Sequence, residues 1–324
     1  MQAKTSLITT IAFIATAGLY GCSKNNDAPI NTTTNDAALI NALFDSLKST
    51  PQSFQVTAGT YATITGEDGT IVTFNPSSFK TAAGTVITSG IIDIELTEMY
   101  TPGKMIANRV TTATQNNSLL SSGGAMYIKA TLNGEEVAAG QYEIGFQQAA
   151  YSEDDMSLFY GEQNTDMSGA NVIWGNDTSN TQTRTVKSSQ NDIPNYYLFD
   201  SCTSFNWINC DHFYTAPDPK TDVQVTVNGS DVTAANTRIF VVFPAINSVA
   251  NMYAFDSASA TFSFGYPAYY LPVGTSIHAF LIAEKDSVYY MAEQKNITVS
   301  SGINITLTPV QTSISAIAAA LSNL

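Results

Sequence analysis

Histidine is the side chain that most often acts as a base near neutral pH, and this chain contains two, His212 and His278. A serine hydrolase needs such a base beside a nucleophile, which often sits on a sharp Gly-x-Ser-x-Gly turn. Both histidines lie in strand-like patterns, and no such turn motif accompanies either one. We therefore predict that both histidines have structural roles.

Carboxylates could also do chemistry, because two of them suffice for glycoside hydrolysis. Glu153, Asp154 and Asp155 form the densest acidic cluster, and Asp93 and Glu95 share one face of a predicted strand. Adjacent acids are typical of a solvated charge run, and this run lacks the spaced oxygen ligands of a known calcium loop. Alternating acids are equally typical of the solvent side of a half-buried strand. We predict no catalytic residue, no metal site, no cofactor and no enzymatic activity.

Cysteine chemistry gives the clearest signal in the chain. Residues 1–21 combine a basic start at Lys4, an apolar stretch over residues 7–17 and small residues before Cys22, as in a secretory signal peptide. The Leu-Tyr-Gly-Cys ending at positions 19–22 resembles a bacterial lipobox, whose cysteine takes a diacylglycerol and becomes the mature N-terminus. The apolar stretch is shorter than the ~20 residues of a membrane-spanning helix. We therefore predict lipidation of Cys22 and a lipid-anchored protein of the cell envelope, at the outer membrane.

The other two cysteines, Cys202 and Cys210, form an even pair in an exported protein, where disulfides persist. Residues 196–202 and 206–214 are predicted to be the two strands of a hairpin, which would place the cysteines roughly opposite each other. Directly opposed strand residues have Cα atoms ~4.5–5.5 Å apart, a spacing that a disulfide accepts. The sequence therefore predicts a disulfide. The competing prediction is two buried free thiols, with Cys210 beside Trp207.

An aromatic-rich stretch is the remaining candidate for ligand binding. Exposed tyrosines form platforms for sugars and also form protein interfaces, so both ligand classes stay open. The tyrosines of this predicted aromatic surface are Tyr253, Tyr266, Tyr269 and Tyr270. The phenylalanines of the same stretch, Phe255, Phe262 and Phe264, are expected to lie in a core.

The charge balance excludes one class of partner. The sequence has 13 basic and 27 acidic residues, for a net charge of −14, and only 12% of its residues are charged. Nucleic-acid binding needs clustered lysine and arginine against the phosphates, so we exclude nucleic acid as a partner. Hydrophobic residues make up 44% of the chain, which is enough for sizeable cores.

Hydrophobic periodicity predicts one helix and then many strands. Ile40, Leu43, Phe44 and Leu47 recur on one face of a 3.6-residue period, which predicts a helix over residues 36–50. The period then changes to two, and strand-like stretches recur about every 8–12 residues with turn signals such as Asn-Gly between them. This spacing is typical of a β-sandwich.

The predicted fold class is mainly β, with two β-sandwich-like domains, a short N-terminal helix and a short C-terminal helix. Changes of composition and period divide the chain into a signal peptide (1–21), a flexible tether (22–35), a helix (36–50), a first β-sandwich-like domain (51–150), an acidic polar linker (151–194), a second β-sandwich-like domain (195–310) and a C-terminal helix (311–324). Residues 238–243 are nearly all apolar or aromatic, which predicts a buried central strand of the second domain.

Several motifs of the chain resemble those of uncharacterised lipoproteins from Bacteroidetes bacteria. These motifs are Pro51-Gln52-Ser53-Phe54, residues 66–79, residues 98–103, Leu119-Leu120-Ser121-Ser122-Gly123-Gly124, residues 125–131 and Trp207-Ile208-Asn209-Cys210-Asp211-His212-Phe213. The last motif normally has arginine where this chain has His212. The first domain is also distantly similar to the β-domain shared by ankyrins, netrin receptors and zonula-occludens proteins, which mediates protein contacts. The resemblance implies a β fold in the envelope and no particular activity.

Three serine triplets resemble the O-glycosylation sequon of the same bacteria, in which Asp-Ser or Asp-Thr precedes a small apolar residue. The candidate glycosylation sites are Ser46, Ser257 and Ser287. Triplets this short also occur by chance, so the alternative is three ordinary surface serines.

The sequence predicts a membrane-anchored envelope lipoprotein that acts as a non-enzymatic binding or scaffolding module. Its expected partners are the membrane, through the lipid anchor, and either another envelope protein or a glycan. The alternatives are a carbohydrate-binding accessory lipoprotein and an uncharacterised hydrolase. An exposed apolar patch would favour the first function, a sugar-binding groove the second, and two carboxylates facing each other across a cleft the third.

Overall fold

The structure is a computed structural model that describes residues 32–114, 118–147, 156–163, 172–175, 184–186, 196–229, 231–264 and 271–324. It confirms the predicted fold class, because the chain is mainly β and has a short helix near each end. No helix in the described ranges is both long and apolar enough to cross a bilayer.

Almost all of the described secondary-structure elements are strands. In chain order they are α1 (Thr32–Leu47), β1 (Gln52–Thr57), β2 (Ala62–Thr65), β3 (Ile71–Phe74), β4 (Phe79–Lys80), β5 (Ile91–Met99), α2 (Pro102–Ala107), β6 (Leu120–Leu132), β7 (Glu135–Glu136), β8 (Ala138–Ala139), β9 (Tyr142–Gln147), β10 (Ser157–Gln163), β11 (Val172–Trp174), β12 (Arg184–Val186), β13 (Tyr196–Cys202), β14 (Asn206–Phe213), β15 (Lys220–Thr221), β16 (Val223–Val227), β17 (Thr237–Phe243), a 3₁₀ turn (Pro244–Ile246), β18 (Ser248–Met252), β19 (Ala254–Asp256), β20 (Thr261–Ser263), β21 (Leu271–Pro272), β22 (Ser276–Lys285), β23 (Val288–Thr298), β24 (Ile303–Leu307), β25 (Val310–Thr312) and α3 (Ile314–Leu321).

Four larger sheets carry the fold, and we number them I to IV. Sheet I has the strand order β12-β13-β9-β3-β2, and sheet II has the order β1-β5-β6-β14-β10-β11 with β7 beside β6. Sheet III has the order β18-β17-β22-β23-β25, and sheet IV has the order β19-β20-β16-β24. Sheets I and II share one core and form the first sandwich, whereas sheets III and IV share another and form the second sandwich.

Sheets II and III have central strands that bury side chains on both faces, because alternate residues of these strands enter different cores. In β6, Met126 and Ile128 enter the core of the first sandwich, whereas Ala125 enters a third core. In β17, Ile239 enters the core of the second sandwich and Phe240 enters the same third core. Every residue of β17 is buried, so the predicted central strand is confirmed.

The third core lies between the two sandwiches, and helices complete it. α1 contributes Leu43 and Phe44, and the ring of Phe44 meets that of Phe240 edge to face with centroids 6.0 Å apart. α3 contributes Ile317 and Leu321. The chain from residue 33 onward therefore forms one compact unit in which the two sandwiches share buried surface.

A short segment after α2 joins the two sandwiches by hydrogen bonds. Thr112 donates its backbone N–H to the Val249 carbonyl at 2.8 Å, and its Oγ1 accepts from the Val249 N–H at 2.8 Å. Trp174 donates its indole N–H to the carbonyl of Thr111. The segment thus covers β18 of sheet III and β11 of sheet II, two edge strands that would otherwise present unpaired backbone groups.

Two strands that the sequence assigned to the second domain pair with strands of the first sandwich. β13 pairs with β9 in sheet I, and β14 pairs with β6 and β10 in sheet II. Residues 196–213 therefore belong to the first sandwich, although the prediction placed residues 195–310 together in the second domain. The predicted linker (151–194) likewise supplies β10, β11 and β12 to sheets I and II. The prediction was wrong because period-two alternation identifies a strand, whereas the partner strand is chosen by contacts distant in sequence.

Candidate functional site

Several predicted site residues lie outside the described part of the chain. They are the lipidation site Cys22, three tyrosines of the predicted aromatic surface (Tyr266, Tyr269 and Tyr270) and the acidic cluster at 153–155. These predictions therefore rest on the sequence.

The described part of the aromatic stretch is mostly core. Tyr253 is half-buried, and Phe262 and Phe264 are buried in the core of the second sandwich. The ring of Phe255 packs on that of Phe262, with centroids 4.6 Å apart. The phenylalanines thus stabilise the sandwich, as expected from the sequence.

Cys202 and Cys210 are free and buried in the structure. The hairpin that predicted their disulfide is wrong, because Cys202 lies on β13 of sheet I and Cys210 on β14 of sheet II. The chain between them crosses from one sheet to the other instead of turning back within one sheet. Burial raises the pKa of both thiols, so neither is a thiolate near neutral pH. Both are packing groups of the first core.

The two histidines contact backbone groups. His212 Nδ1 lies 3.2 Å from the Phe213 carbonyl oxygen, and His278 Nδ1 accepts a hydrogen bond from the Asn296 N–H at 3.0 Å. Within the described ranges, no group of three or more His, Cys, Asp or Glu side chains could hold a metal ion.

The remaining predicted residues lie on the surface. Ser46 on α1 is exposed, and so are Ser257 and Ser287 in turns, so a modifying enzyme could reach each hydroxyl. Asp93 and Glu95 are exposed on β5, where alternate residues point away from the core. The two acids thus occupy the solvent side of the strand.

A buried carboxylate on β5 holds the loop between β2 and β3. Glu98 is 3% exposed, and its oxygens accept hydrogen bonds from Gln52 Nε2 at 2.8 Å, from the Asp68 N–H at 2.9 Å and from the Thr70 N–H at 2.9 Å. Burial raises the pKa of this carboxyl, but hydrogen bonds from Thr70, Asp68 and Gln52 together outweigh burial and lower it. Three of the motifs quoted for the resemblance therefore meet at this carboxylate, namely residues 51–54, 66–79 and 98–103.

A second buried carboxylate, Asp211, lies at a bulge between β14 and β6. Asn209 donates its side-chain amide to Oδ2, whereas Oδ1 has no hydrogen-bond partner among the described residues. Burial raises the pKa of Asp211 well above its usual range, and the neighbouring polar groups of Ser122, Asn209 and the Gly123 backbone offset only part of this. The sequence signal for this site was an acid inside a strand, next to a buried apolar residue.

Replacing Asp211 by asparagine is expected to remove a pH dependence of stability. A raised folded pKa means that the stability contributed by protonated Asp211 is complete below its unfolded value near 3.9 and is lost as pH rises toward the folded value. Relative to Asp211→Asn, the wild type should lose up to about 1.4 kcal/mol of unfolding free energy per pH unit in that window. Denaturant unfolding from pH 4 to pH 8 measures the difference. Parallel curves for the two proteins would contradict this prediction.

A concave pocket of about 250 Å³ opens at one end of the second sandwich, where β22 and β23 meet the loop before β17. Its wall includes Asp231, Val232, Asn236, Lys285, Tyr290 and Pro309. Lys285 and Asp231 form an ion pair on the rim, and Tyr290 packs against the second core. The pocket therefore combines an apolar interior with a donor and an acceptor at its mouth.

Buried polar side chains hold the loop that forms one wall of this pocket. Asn236 donates its amide to the Asp231 carbonyl at 2.9 Å, and its Oδ1 accepts from the Thr233 N–H at 3.0 Å. Arg238 is 7% exposed and donates to the Ala234 carbonyl at 2.6 Å. Burial, with a smaller contribution from a neighbouring arginine, lowers the pKa of Arg238 to about 10, so it stays charged at neutral pH. A buried cation thus binds loop carbonyls and fixes the wall.

An exposed apolar patch lies on the first sandwich. Tyr61, Ile91 and Val86 are 77%, 50% and 37% exposed. The segments of Tyr61 and Ile91 adjoin, because the Ala58 N–H donates to the Gly90 carbonyl at 2.9 Å, and Val86 lies shortly before Gly90 in the chain. We name these three side chains the apolar patch.

The pocket and the apolar patch are thus two surfaces of the described residues that could meet a partner. The buried carboxylates Glu98 and Asp211 are enclosed by protein and hold loops and bulges in place. No protein-family model matches the chain, and neither a curated protein nor a solved structure matches it significantly.

Proposed function

We propose that this chain is a lipid-anchored, non-enzymatic binding or scaffolding module of the cell envelope, and that its partner is another envelope protein. The observation that carries the proposal is the apolar patch. Adjoining large apolar side chains left in water are typical of a protein contact surface, because burying them against a partner is favourable. Tyrosine is also enriched at such contacts.

The shared third core supports this function in a second way. The two sandwiches bury side chains of sheets II and III against the same helices, so their described residues form one compact unit around a shared core. A rigid body lowers the entropy that binding at the apolar patch would cost.

The anchor itself is proposed from the sequence around Cys22. Two or more acyl chains suffice for stable attachment to a bilayer, and the signal-like residues before Cys22 lead to export. The outer membrane is the proposed location, as in the lipoproteins that the chain resembles.

A photo-crosslinking amino acid at position 61 tests both parts of the proposal in cells. With Cys22 intact, we expect the chain in the membrane fraction and a discrete adduct that mass spectrometry assigns to an envelope protein. With Cys22→Ala, we expect the chain in the soluble fraction and the adduct lost. The control carries the crosslinker at Val310, which is 61% exposed on the second sandwich.

Each arm of this experiment can fail separately. Membrane attachment of Cys22→Ala equal to that of the wild type would contradict the lipid anchor. A smear or no adduct from position 61, or the same adduct from position 310, would contradict the apolar patch as the contact surface.

A further inference from the structure

The pocket lined by Asp231, Lys285 and Tyr290 has the size of a site for one small ring. Its volume of about 250 Å³ lies just below the ~300–1,000 Å³ range of drug-sized ligand sites. An oligosaccharide or a nucleotide would extend well beyond it. The bound group is therefore a single ring or the terminal ring of a longer molecule.

The pocket is formed before any ligand arrives. Asn236 forms hydrogen bonds with Asp231 and Thr233 in its loop, and Arg238 donates to the Ala234 carbonyl. Among the ion pairs of the described residues, none includes Arg238. Burying an arginine costs solvation free energy, and the hydrogen bonds to loop carbonyls that partly offset this cost also hold the loop in one shape. A preformed wall lowers the ordering cost of binding.

The rim selects hydroxyl groups rather than charges. Lys285 offers hydrogen-bond donors and Asp231 offers acceptors, and their side chains are 38% and 61% exposed. The pair carries no net charge, so it attracts neither an anion nor a cation. Neighbouring hydroxyls of one ligand can accept from the ammonium group and donate to the carboxylate at the same time.

The interior selects an apolar ring face. Val232 and Pro309 line the pocket with aliphatic surface, and Tyr290 adds an aromatic ring held by its contact with the second core. A pyranose combines the two requirements, because its C–H groups form an apolar face and its hydroxyls form a polar edge. We propose that this pocket binds a neutral pyranose ring of a glycan.

This inference concerns a different surface from the apolar patch and does not depend on the anchor. Saturation-transfer NMR on the detergent-solubilised full chain tests it with methyl glucoside, methyl mannoside, methyl galactoside and N-acetylglucosamine as probes. Glucuronate and glucosamine are the charged comparisons. We expect transfer to at least one neutral sugar and stronger transfer to it than to either charged one.

Variants at the rim show where the sugar binds. Asp231→Asn and Lys285→Gln should each weaken binding about tenfold or more, since each removes a charged hydrogen-bonding group. Asparagine also tolerates the positive φ of 63° at position 231, so the loop keeps its shape. Lys295→Gln is the matched control, because Lys295 forms a comparable exposed pair with Glu293 on β23.

The results separate the outcomes as follows. Neutral-sugar binding that is lost in both rim variants and kept in Lys295→Gln, with unchanged melting temperatures, supports the proposal. No transfer to any neutral sugar, preferred binding of a charged sugar, or equal binding by all variants would overturn it. Each of these results leaves the cross-linking test at position 61 unaffected.

Discussion

Replacing Glu98 by alanine is expected to lower the free energy of unfolding by about 2–4 kcal/mol, because buried N–H donors of the β2–β3 loop lose their acceptor. Thr70 is fully buried, and its N–H donates to Glu98 Oε1 at 2.9 Å, so the substitution removes the acceptor of a buried donor. Gly66 packs against the same group, and a Cβ there would lie 2.5 Å from the carboxylate carbon. Urea-induced unfolding of the full chain measures the loss.

The pH dependence of the same variant identifies the carboxylate as the cause. Because the folded pKa of Glu98 is lowered from its ordinary value of 4.5, its stabilisation is complete above that value and is lost as pH falls through the folded pKa. The deficit of Glu98→Ala should therefore shrink in acid. Glu95→Ala is the control, since Glu95 is exposed on the same strand and its loss should change stability by less than about 0.5 kcal/mol. A deficit that is constant with pH would count against this account.

Replacing Gly103 by alanine is expected to cost about 3 kcal/mol by displacing α3 from the third core. A Cβ at Gly103 would overlap the carbonyl group of Leu321 and lie 2.6 Å from its carbon. Both partners are backbone, so a side-chain rotation cannot relieve the overlap. Displacing α3 would expose Ile317 and Leu321, which are 0% and 4% exposed.

A truncated chain shows whether α3 is the cause. In a chain that ends at Thr312, Gly103→Ala should have almost no effect on the free energy of unfolding, because the overlapping carbonyl group of Leu321 is absent. Gly229→Ala serves as the control in the full chain, since its Cβ would meet no atom closer than 3.8 Å. An equal loss from Gly103→Ala in the full and truncated chains would contradict the proposed overlap.

Features that depend on local pattern were predictable from the sequence. The period of 3.6 residues placed Leu43 and Phe44 on the buried face of α1, and the apolar run at 238–243 marked β17 as a central strand. Asn-Gly and Asp-Gly pairs marked turns between strands. Each of these signals works because side-chain burial repeats with the geometry of the element itself.

Contacts between distant segments were not predictable. Glu98 was one acid on a half-buried strand, and nothing near it in sequence shows that the loop at residues 66–70 closes on its oxygens. The pocket was also not predictable from the sequence, because its residues Asp231, Lys285 and Tyr290 come from a loop and two different strands. The raised pKa of Asp211 also depends on enclosure by the surrounding structure.

The sequence by itself determined that this protein is mainly β with helices near both ends, and the lipid anchor at Cys22 stays a prediction from it. These are properties of composition, period and a contiguous motif, which are set by neighbouring residues. Only the tertiary structure decided that β13 and β14 join the first sandwich, that Cys202 and Cys210 lie on different sheets, and that both sandwiches share a third core. The physical reason is that every exposed strand edge and apolar face can accept several partners. The choice among them follows from the burial and hydrogen bonding of the whole chain at once.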